Sequence, residues 1–288
     1  MNEIIETLDL PAWVAKAPAD KRSFREAVHI ILTAIGGSTV LRTKMVMKGG
    51  MLMALRYESS RFTKDADFST RALYVNGDEK ELLGELDAQL ALANAESTYD
   101  TRCQIQRYKL MPPGLDKTFP TLALNIGYAS RRNERAFQRL LAKQSPSVVE
   151  IDYSYNEAVL DVEVLKLSDG DELQVYSLVN LMAEKFRSLL QQPSRNRNRR
   201  QDIYDLSLLL AEVKDWTHAE RRSLKECIVA SALSRCVIAE SISMRDPEIM
   251  RMTAKGYEDL QAEVDGPLPD FGAIYQVVQD FYESLPWS

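Results

Sequence analysis

The chain has 288 residues, 45% hydrophobic content and a formal net charge of −6 from 36 basic and 42 acidic residues. That length supports a well-buried core in one large or two smaller domains. The acidic balance excludes coating nucleic acid by bulk attraction, so any nucleotide or RNA chemistry must use a local basic site.

Two histidines, His29 and His218, exclude a histidine-rich zinc centre and weaken a Ser–His or Cys–His mechanism. His29 sits among Ala27, Val28, Ile30 and Ile31 and reads as a helix residue near the core; His218 reads as a helix start. Cys103, Cys227 and Cys236 form no CxxC pair, the usage of reduced thiols in a cytosolic protein. Met1 to Glu6 lacks a basic region followed by an apolar stretch, and no apolar run reaches membrane-spanning length. The expectation is a soluble, cytoplasmic protein.

In chain order, residues 1–20 read as a loosely structured lead-in broken by Pro11 and Pro18. Phe24, Val28, Ile31, Leu32 and Ile35 recur at helical spacing, so Ser23 to Ile35 is predicted helical and Gly36-Gly37 ends it. Thr43 to Met47 is predicted as a short strand, Gly49-Gly50 as a turn, and Met51 to Tyr57 as a helix. Phe62 to Thr70 alternates like a strand, and Asp78 to Ala95 is helical. Strands follow at Thr121–Tyr128 and Val148–Tyr155, with a charged helix between them at Arg131 to Ala142. After a turn at Ser168-Asp169-Gly170 the pattern becomes helical. Helices are predicted at Ser177–Gln191, Gln201–Glu212, His218–Leu233, Pro247–Val264 and Phe271–Ser284. The reading is a mixed α/β domain over 1–174 and an all-α domain over 175–288.

The chemistry concentrates early. Lys48-Gly49-Gly50 is followed, fifteen residues after Gly50, by Asp65-Ala66-Asp67. On a strand Asp65 and Asp67 point the same way. Two carboxylates on one face repel unless a cation joins them, and Mg²⁺ takes one or two carboxylates plus substrate phosphates. That is the donor set of a phosphoryl-transfer site. A Gly-Gly turn opening a helix brings backbone N–H groups to phosphate oxygens without Cβ obstruction. Lys48 and Arg61 add positive charge beside it.

On the strand Val148-Val149-Glu150-Ile151-Asp152-Tyr153, Val149, Ile151 and Tyr153 face one side and Glu150 and Asp152 the other. Arg195-Asn196-Arg197-Asn198-Arg199-Arg200 is the one concentrated basic tract and suits triphosphate or an RNA backbone. No aromatic residues interleave it, so base stacking there is unsupported.

The run from Lys48-Gly49-Gly50 through Arg61-Phe62-Thr63-Lys64-Asp65-Ala66-Asp67-Phe68 resembles the signature of DNA-polymerase-β-like nucleotidyltransferases. With Leu181-Met182-Ala183-Glu184-Lys185 and Arg199-Arg200-Gln201-Asp202-Ile203-Tyr204-Asp205-Leu206, it is similar more narrowly to the AbiEii/AbiGii toxins of type IV abortive-infection systems. The resemblance spans about residues 40–210; residues 215–288 match only in being helical.

It implies an α+β fold, a polymerase-β-like nucleotidyltransferase core (mixed sheet with flanking helices) followed by an all-α C-terminal domain. It implies transfer of a nucleoside monophosphate from an NTP, with Mg²⁺ or Mn²⁺, to an acceptor such as the end of a tRNA or a protein side chain, so that translation stops. By its roles Asp65 and Asp67 hold the metals, and a third carboxylate comes from a later strand, with Asp152 the first choice and Glu150 the second. Gly49 and Gly50 bind the triphosphate, and Lys48, Arg61 and Arg199 are the basic residues expected to assist them. Lys185 contacts phosphate or stabilises the transition state. Asp202 orients Lys185 and the arginines or assists proton removal. A cognate antitoxin, often a winged-helix protein in this family, is the implied partner.

Two positions depart from the pattern. Met51 stands where Ser or Thr usually follows the glycines, and Gln201 where a basic residue commonly precedes the aspartate. Two other readings stay open at this point: a nucleotide-binding module of the same fold that has lost transfer, which Met51 favours, and a helical interaction protein.

Overall fold

The computed structural model describes residues 4–113 and 118–287. Met1 to Glu3, part of the expected lead-in, lie outside the described residues. The chain forms two compact units: Met1–Arg56 with Lys64–Val175, and Tyr57–Thr63 with Tyr176–Ser288. The architecture is α+β, with an eight-stranded mixed sheet and many helices. No helix among the described residues is long and apolar enough to cross a membrane.

The sheet belongs to the first unit. Its strands are β1 (Ile4–Leu8), β2 (Val46–Lys48), β3 (Asp65–Ser69), β4 (Thr101–Met111), β5 (Thr121–Ser130), β6 (Val148–Ser154), β7 (Val162–Leu167) and β8 (Glu172–Tyr176). They lie in the order β1-β7-β8-β2-β3-β6-β5-β4. β3 is flanked by antiparallel β2 and parallel β6, and β5 and β4 continue the sheet antiparallel.

One sheet face is apolar because every second residue is. Ala66 and Phe68 on β3, Leu122, Leu124 and Ile126 on β5, and Ile151 and Tyr153 on β6 are buried. Helix α2 (Arg22–Gly37) lies against β4, β5 and β6 and against helix α5 (Asp78–Glu96). Burying each large side chain of this layer contributes roughly 1.5–3 kcal/mol. His29 on α2 is half-buried, its Nδ1 2.9 Å from the Tyr99 hydroxyl. Burial lowers its pKa, against the opposing charges of Asp169 and Asp9.

Several local expectations are corrected. The lead-in is ordered over its described part: β1 pairs parallel with β7, and helix α1 (Leu10–Ala15) is capped by Asp9, with Pro11 tolerated in its first turn. Thr43 belongs to a short helix, α3 (Thr39–Lys44), capped by Ser38, and the strand begins only at Val46. β3 starts at Asp65 rather than Phe62, because Phe62 donates its N–H to the Glu263 carbonyl in the second unit. β1, β4, β7 and β8 are additions to the expected strands. In β4 a bulge between Ile105 and Arg107 breaks the alternation that would reveal it.

The second unit is helical: α7 (Leu178–Leu190), α8 (Gln192–Arg195), α9 (Arg200–Leu209), α10 (His218–Leu233), α11 (Pro247–Ala254) and α12 (Phe271–Glu283). Ser177 caps α7, and Thr217 with Glu220 forms a capping box on α10, whose first residue is His218. The single helix expected over Pro247–Val264 breaks at Gly256, which takes a left-handed conformation, and resumes as a 3-10 turn at Tyr257–Ala262. Tyr57–Thr63 joins this unit through a bridge from Arg61 to Val264. Cys103 and Cys227 are buried and Cys236 is exposed, all three as free thiols.

Candidate functional site

In the first unit, the face opposite the apolar layer carries acids. Asp65 and Asp67 on β3 stand in register with Glu150 and Asp152 on β6, and the strands are parallel neighbours. Side chains at paired positions project on the same side, about 5 Å apart between strands. Asp65, Glu150 and Asp152 are exposed and Asp67 is half-buried. The residues between them, Ala66 and Ile151, are at most 2% exposed, which fixes the phase of both strands. Asp65, Asp67 and Asp152 are thus brought to one face, with Glu150 beside Asp65.

Lys48 ends β2 opposite Asp67. Helix α4 (Gly49–Arg56) starts at the next residue. Gly49 has φ +71°, and a Cβ there would lie 2.1 Å from Asp67 Oδ2. Only glycine lets the chain turn from β2 into α4 this close to the carboxylate. The first N–H groups of α4 have no intrahelical acceptor, which suits them to an anion. Met51 is 1% exposed and packs into the core, so its side chain offers nothing to this face. Lys48 is itself 6% exposed. Its ammonium donates to Glu157, which also accepts from the Ser69 hydroxyl at 2.6 Å. The Lys48 charge is therefore matched by an acid 109 residues away, a pairing no local pattern reveals.

Four carboxylates in two adjacent rows repel, and hard oxygen donors favour a hard cation. Among the described residues no three carboxylate, imidazole or thiolate groups converge as a ready-made metal cage. The donor set fits a cation held by a carboxylate pair, with substrate oxygens completing the shell, as Mg²⁺ prefers.

The second unit holds a separate ionic cluster. Lys185 on α7 is 5% exposed, against the surface lysine that an amphipathic helix alone would suggest. Its Nζ donates to Asp205 Oδ2 at 2.6 Å and to Asp202 Oδ1 at 3.3 Å. Asp202 and Asp205 are three apart on α9, hence on one helix face. Asp205 is fully buried and also accepts both forks of Arg61, Nε at 3.1 Å and Nη2 at 3.0 Å. Arg61 reaches Glu263 at 3.5 Å as well. Burial opposes ionisation of Asp205, but Lys185 and Arg61 outweigh it and hold the carboxyl below its ordinary range. Burial likewise opposes the Lys185 charge, and Asp205 and Asp202 outweigh it, so the ammonium loses its proton only above the usual lysine range. Arg199 precedes α9 and donates its backbone N–H to Gln192 Oε1 at 2.7 Å, while Arg200 pairs with Asp259 at 3.5 Å.

Asp205 and Glu157 escaped sequence reasoning. For Asp205 a signal existed: Asp202, Asp205, Leu206 and Leu209 follow the i, i+3, i+4, i+7 pattern of one helix face. Two acids in an apolar stripe call for a buried cation opposite. Glu157 lies beyond the end of β6 and left no such trace.

A family model described as nucleotidyl transferase AbiEii toxin, type IV toxin–antitoxin system, matches residues 31–281. Two crystal structures are similar at low identity. A candidate nucleotidyltransferase from H. pylori is 15% identical, with 93% of this chain and 99% of that chain covered and a TM-score of 0.48. JHP933 from Helicobacter pylori is also 15% identical, with 93% and 95% covered and a TM-score of 0.47. A comparison with curated proteins gives no match. The chain belongs to the AbiEii nucleotidyltransferase toxins of type IV toxin–antitoxin systems.

Proposed function

We propose that this nucleotidyltransferase moves a nucleoside monophosphate from an NTP to an RNA acceptor such as a tRNA, and that a divalent cation, Mg²⁺ or Mn²⁺, is required. The observation that carries this reading is the register of Asp67 with Asp152 directly beside the Gly49 turn. Asp67 and Asp152 are the carboxylate pair for the cation, with Asp65 one position along on the same face. A bound divalent cation neutralises the triphosphate and the charge that develops as the leaving pyrophosphate departs. Gly49 and Gly50 present backbone N–H groups to the phosphates. Because Met51 is buried, this grip rests on backbone donors and not on a hydroxyl at that position.

Lys48 is ion-paired with Glu157 and sets positive charge at the strand end next to Asp67. In the second unit, Lys185 takes by resemblance the part of contacting phosphate or stabilising the transition state, and its ammonium is oriented by Asp202 and Asp205. Arg61 is committed to Asp205 and Glu263, so its proposed part is to organise that cluster rather than to grip phosphate itself. Arg199 contributes positive charge at the start of α9. Modification of tRNA in the cytoplasm blocks translation, and a cognate antitoxin, a winged-helix protein by family habit, relieves the block in an abortive-infection setting.

The test is incubation of the protein with each α-labelled NTP, Mg²⁺ and total cellular RNA. The reading requires label on RNA in the tRNA size range. Label on protein alone, or NTP retained unmodified, overturns it.

A further inference from the structure

The sheet face that carries the acids does not end at β6. Across β5 it continues to the edge strand β4, where the charge changes sign. Asp152 pairs with Ala123, and Ala123 with Lys109; Glu150 pairs with Asn125, and Asn125 with Arg107. Strand positions in one row project to the same side, so Lys109 and Arg107 face the same way as Asp152 and Glu150, two strands or about 10 Å further on. Both are exposed.

Helix α6 (Glu134–Leu141) rests on this same face at the other end of β4 and β5. Gln106 occupies the space that a Cβ on Gly127 would take, with its Cδ 2.5 Å from that point, and donates to the Leu140 carbonyl at 3.3 Å. Gly127 lies in phase with Asn125 and Ala123, so α6 sits beside the row that holds Arg107. On α6, Arg135 and Arg139 are one helical turn apart, Lys143 follows four residues later, and all three are exposed. Among the described residues, Arg131 and Arg132 both pair with Asp100, whereas Arg107, Lys109, Arg135, Arg139 and Lys143 form no ion pair. In a chain of net charge −6, an uncompensated basic flank on the rim of an acid-bearing face is not a general surface property.

We infer that the β4–α6 flank is where the phosphate backbone of the RNA acceptor lies. This rests on the RNA-acceptor reading above. The acids at β3 and β6 repel a polyanion, so the acceptor strand must approach that face over a surface that attracts it, with only its reacting end passing beyond. The flank supplies such a surface, and its arginines suit phosphate through paired donors. Tyr108, between Arg107 and Lys109, is in register with Leu124 and so points to the opposite sheet face, which leaves the flank to hold backbone irrespective of sequence.

The experiment compares wild-type protein, Arg107→Glu with Lys109→Glu, Arg135→Glu with Arg139→Glu, and Lys166→Glu, an exposed control on β7. Binding of a fluorescent tRNA is read by anisotropy over a salt series, and binding of a fluorescent NTP is read in parallel with Mg²⁺. Each flank double variant should weaken RNA binding roughly tenfold or more and flatten the salt slope by about one for each phosphate no longer neutralised. NTP binding should stay within twofold of wild type, and Lys166→Glu should change neither. Unaltered RNA binding in both flank variants overturns the flank while leaving the RNA acceptor standing. Failure of wild-type protein to bind RNA overturns both, and leaves NTP binding as a separate measure of the nucleotide site. Competition by polyglutamate as strong as by RNA of equal charge overturns RNA in favour of an acidic protein acceptor.

Discussion

Asp67 stands between two constraints: it is paired in register with Asp152 on the neighbouring parallel strand, and its Oδ2 lies 2.1 Å from where a Cβ on Gly49 would be. The turn that opens α4 and the carboxylate row are therefore one unit. Neither can shift without the other, which is how a three-residue strand and a glycine fix the position of this acid.

Gly49→Ala tests that coupling. The new Cβ meets the carboxylate at an impossible distance, and alanine disfavours φ +71°. We expect a loss of about 1–3 kcal/mol, seen as a lower urea midpoint, together with loss of transfer because Asp67 must move aside. Wild-type stability and activity in Gly49→Ala would show that the close approach is not maintained.

Met51→Ser restores the residue type that usually follows the glycines. Because Met51 is 1% exposed, the change empties core volume without delivering a hydroxyl to the phosphates. The expected cost is about 2–4 kcal/mol by calorimetric or urea unfolding, with no gain in NTP affinity. Tighter NTP binding would mean that position 51 does face the substrate.

The Lys185–Asp205–Arg61 cluster predicts an asymmetry. Asp205→Ala leaves an ammonium and a guanidinium buried without their shared counter-charge. That should cost about 3–5 kcal/mol in urea unfolding. The triple variant Arg61→Leu, Lys185→Met, Asp205→Leu should recover most of the loss, since apolar replacement of a whole buried network is often neutral. A triple variant as unstable as Asp205→Ala would contradict this account of the cluster.

The same cluster sets a pH dependence. Asp205 is held below its ordinary value, so its stabilisation is complete above the usual carboxylate range and fades as pH falls through the depressed value. Lys185 is held above its ordinary value, so its stabilisation is complete below the usual lysine range and fades as pH rises through the raised one. The stability difference between wild type and the triple variant should be flat from mildly acidic to mildly alkaline pH and change only outside those limits. A step near neutrality, read from urea midpoints across pH, would point to another group.

How much of this was legible beforehand depends on the range of the interaction. The shared face of Asp65 and Asp67 follows from alternation within five residues, and the start of α4 from adjacent glycines. The match of Asp67 to Asp152 rather than to Asn125 depends on strand order, which sequence alone does not fix. β4 was invisible because its bulge flips the burial phase halfway along. Phe62 reads as the first residue of a strand by pattern and Arg61 as a phosphate ligand, yet they bond to Glu263 and Asp205, partners about 200 and 144 residues away. Lys185 reads as a surface lysine unless the two acids in the stripe of α9 are noticed.

The central claim is that Asp67 and Asp152 carry metal-dependent nucleotidyl transfer. The most direct measurement is label transfer from α-labelled NTP to RNA by wild type, Asp67→Asn and Asp152→Asn, each with Mg²⁺ and after chelation with EDTA, with folding checked by circular dichroism. We predict transfer by wild type only when Mg²⁺ or Mn²⁺ is present, and a loss of roughly a thousandfold or more in both folded variants. Transfer that persists in chelated buffer, or in either variant at wild-type rate, would contradict the account.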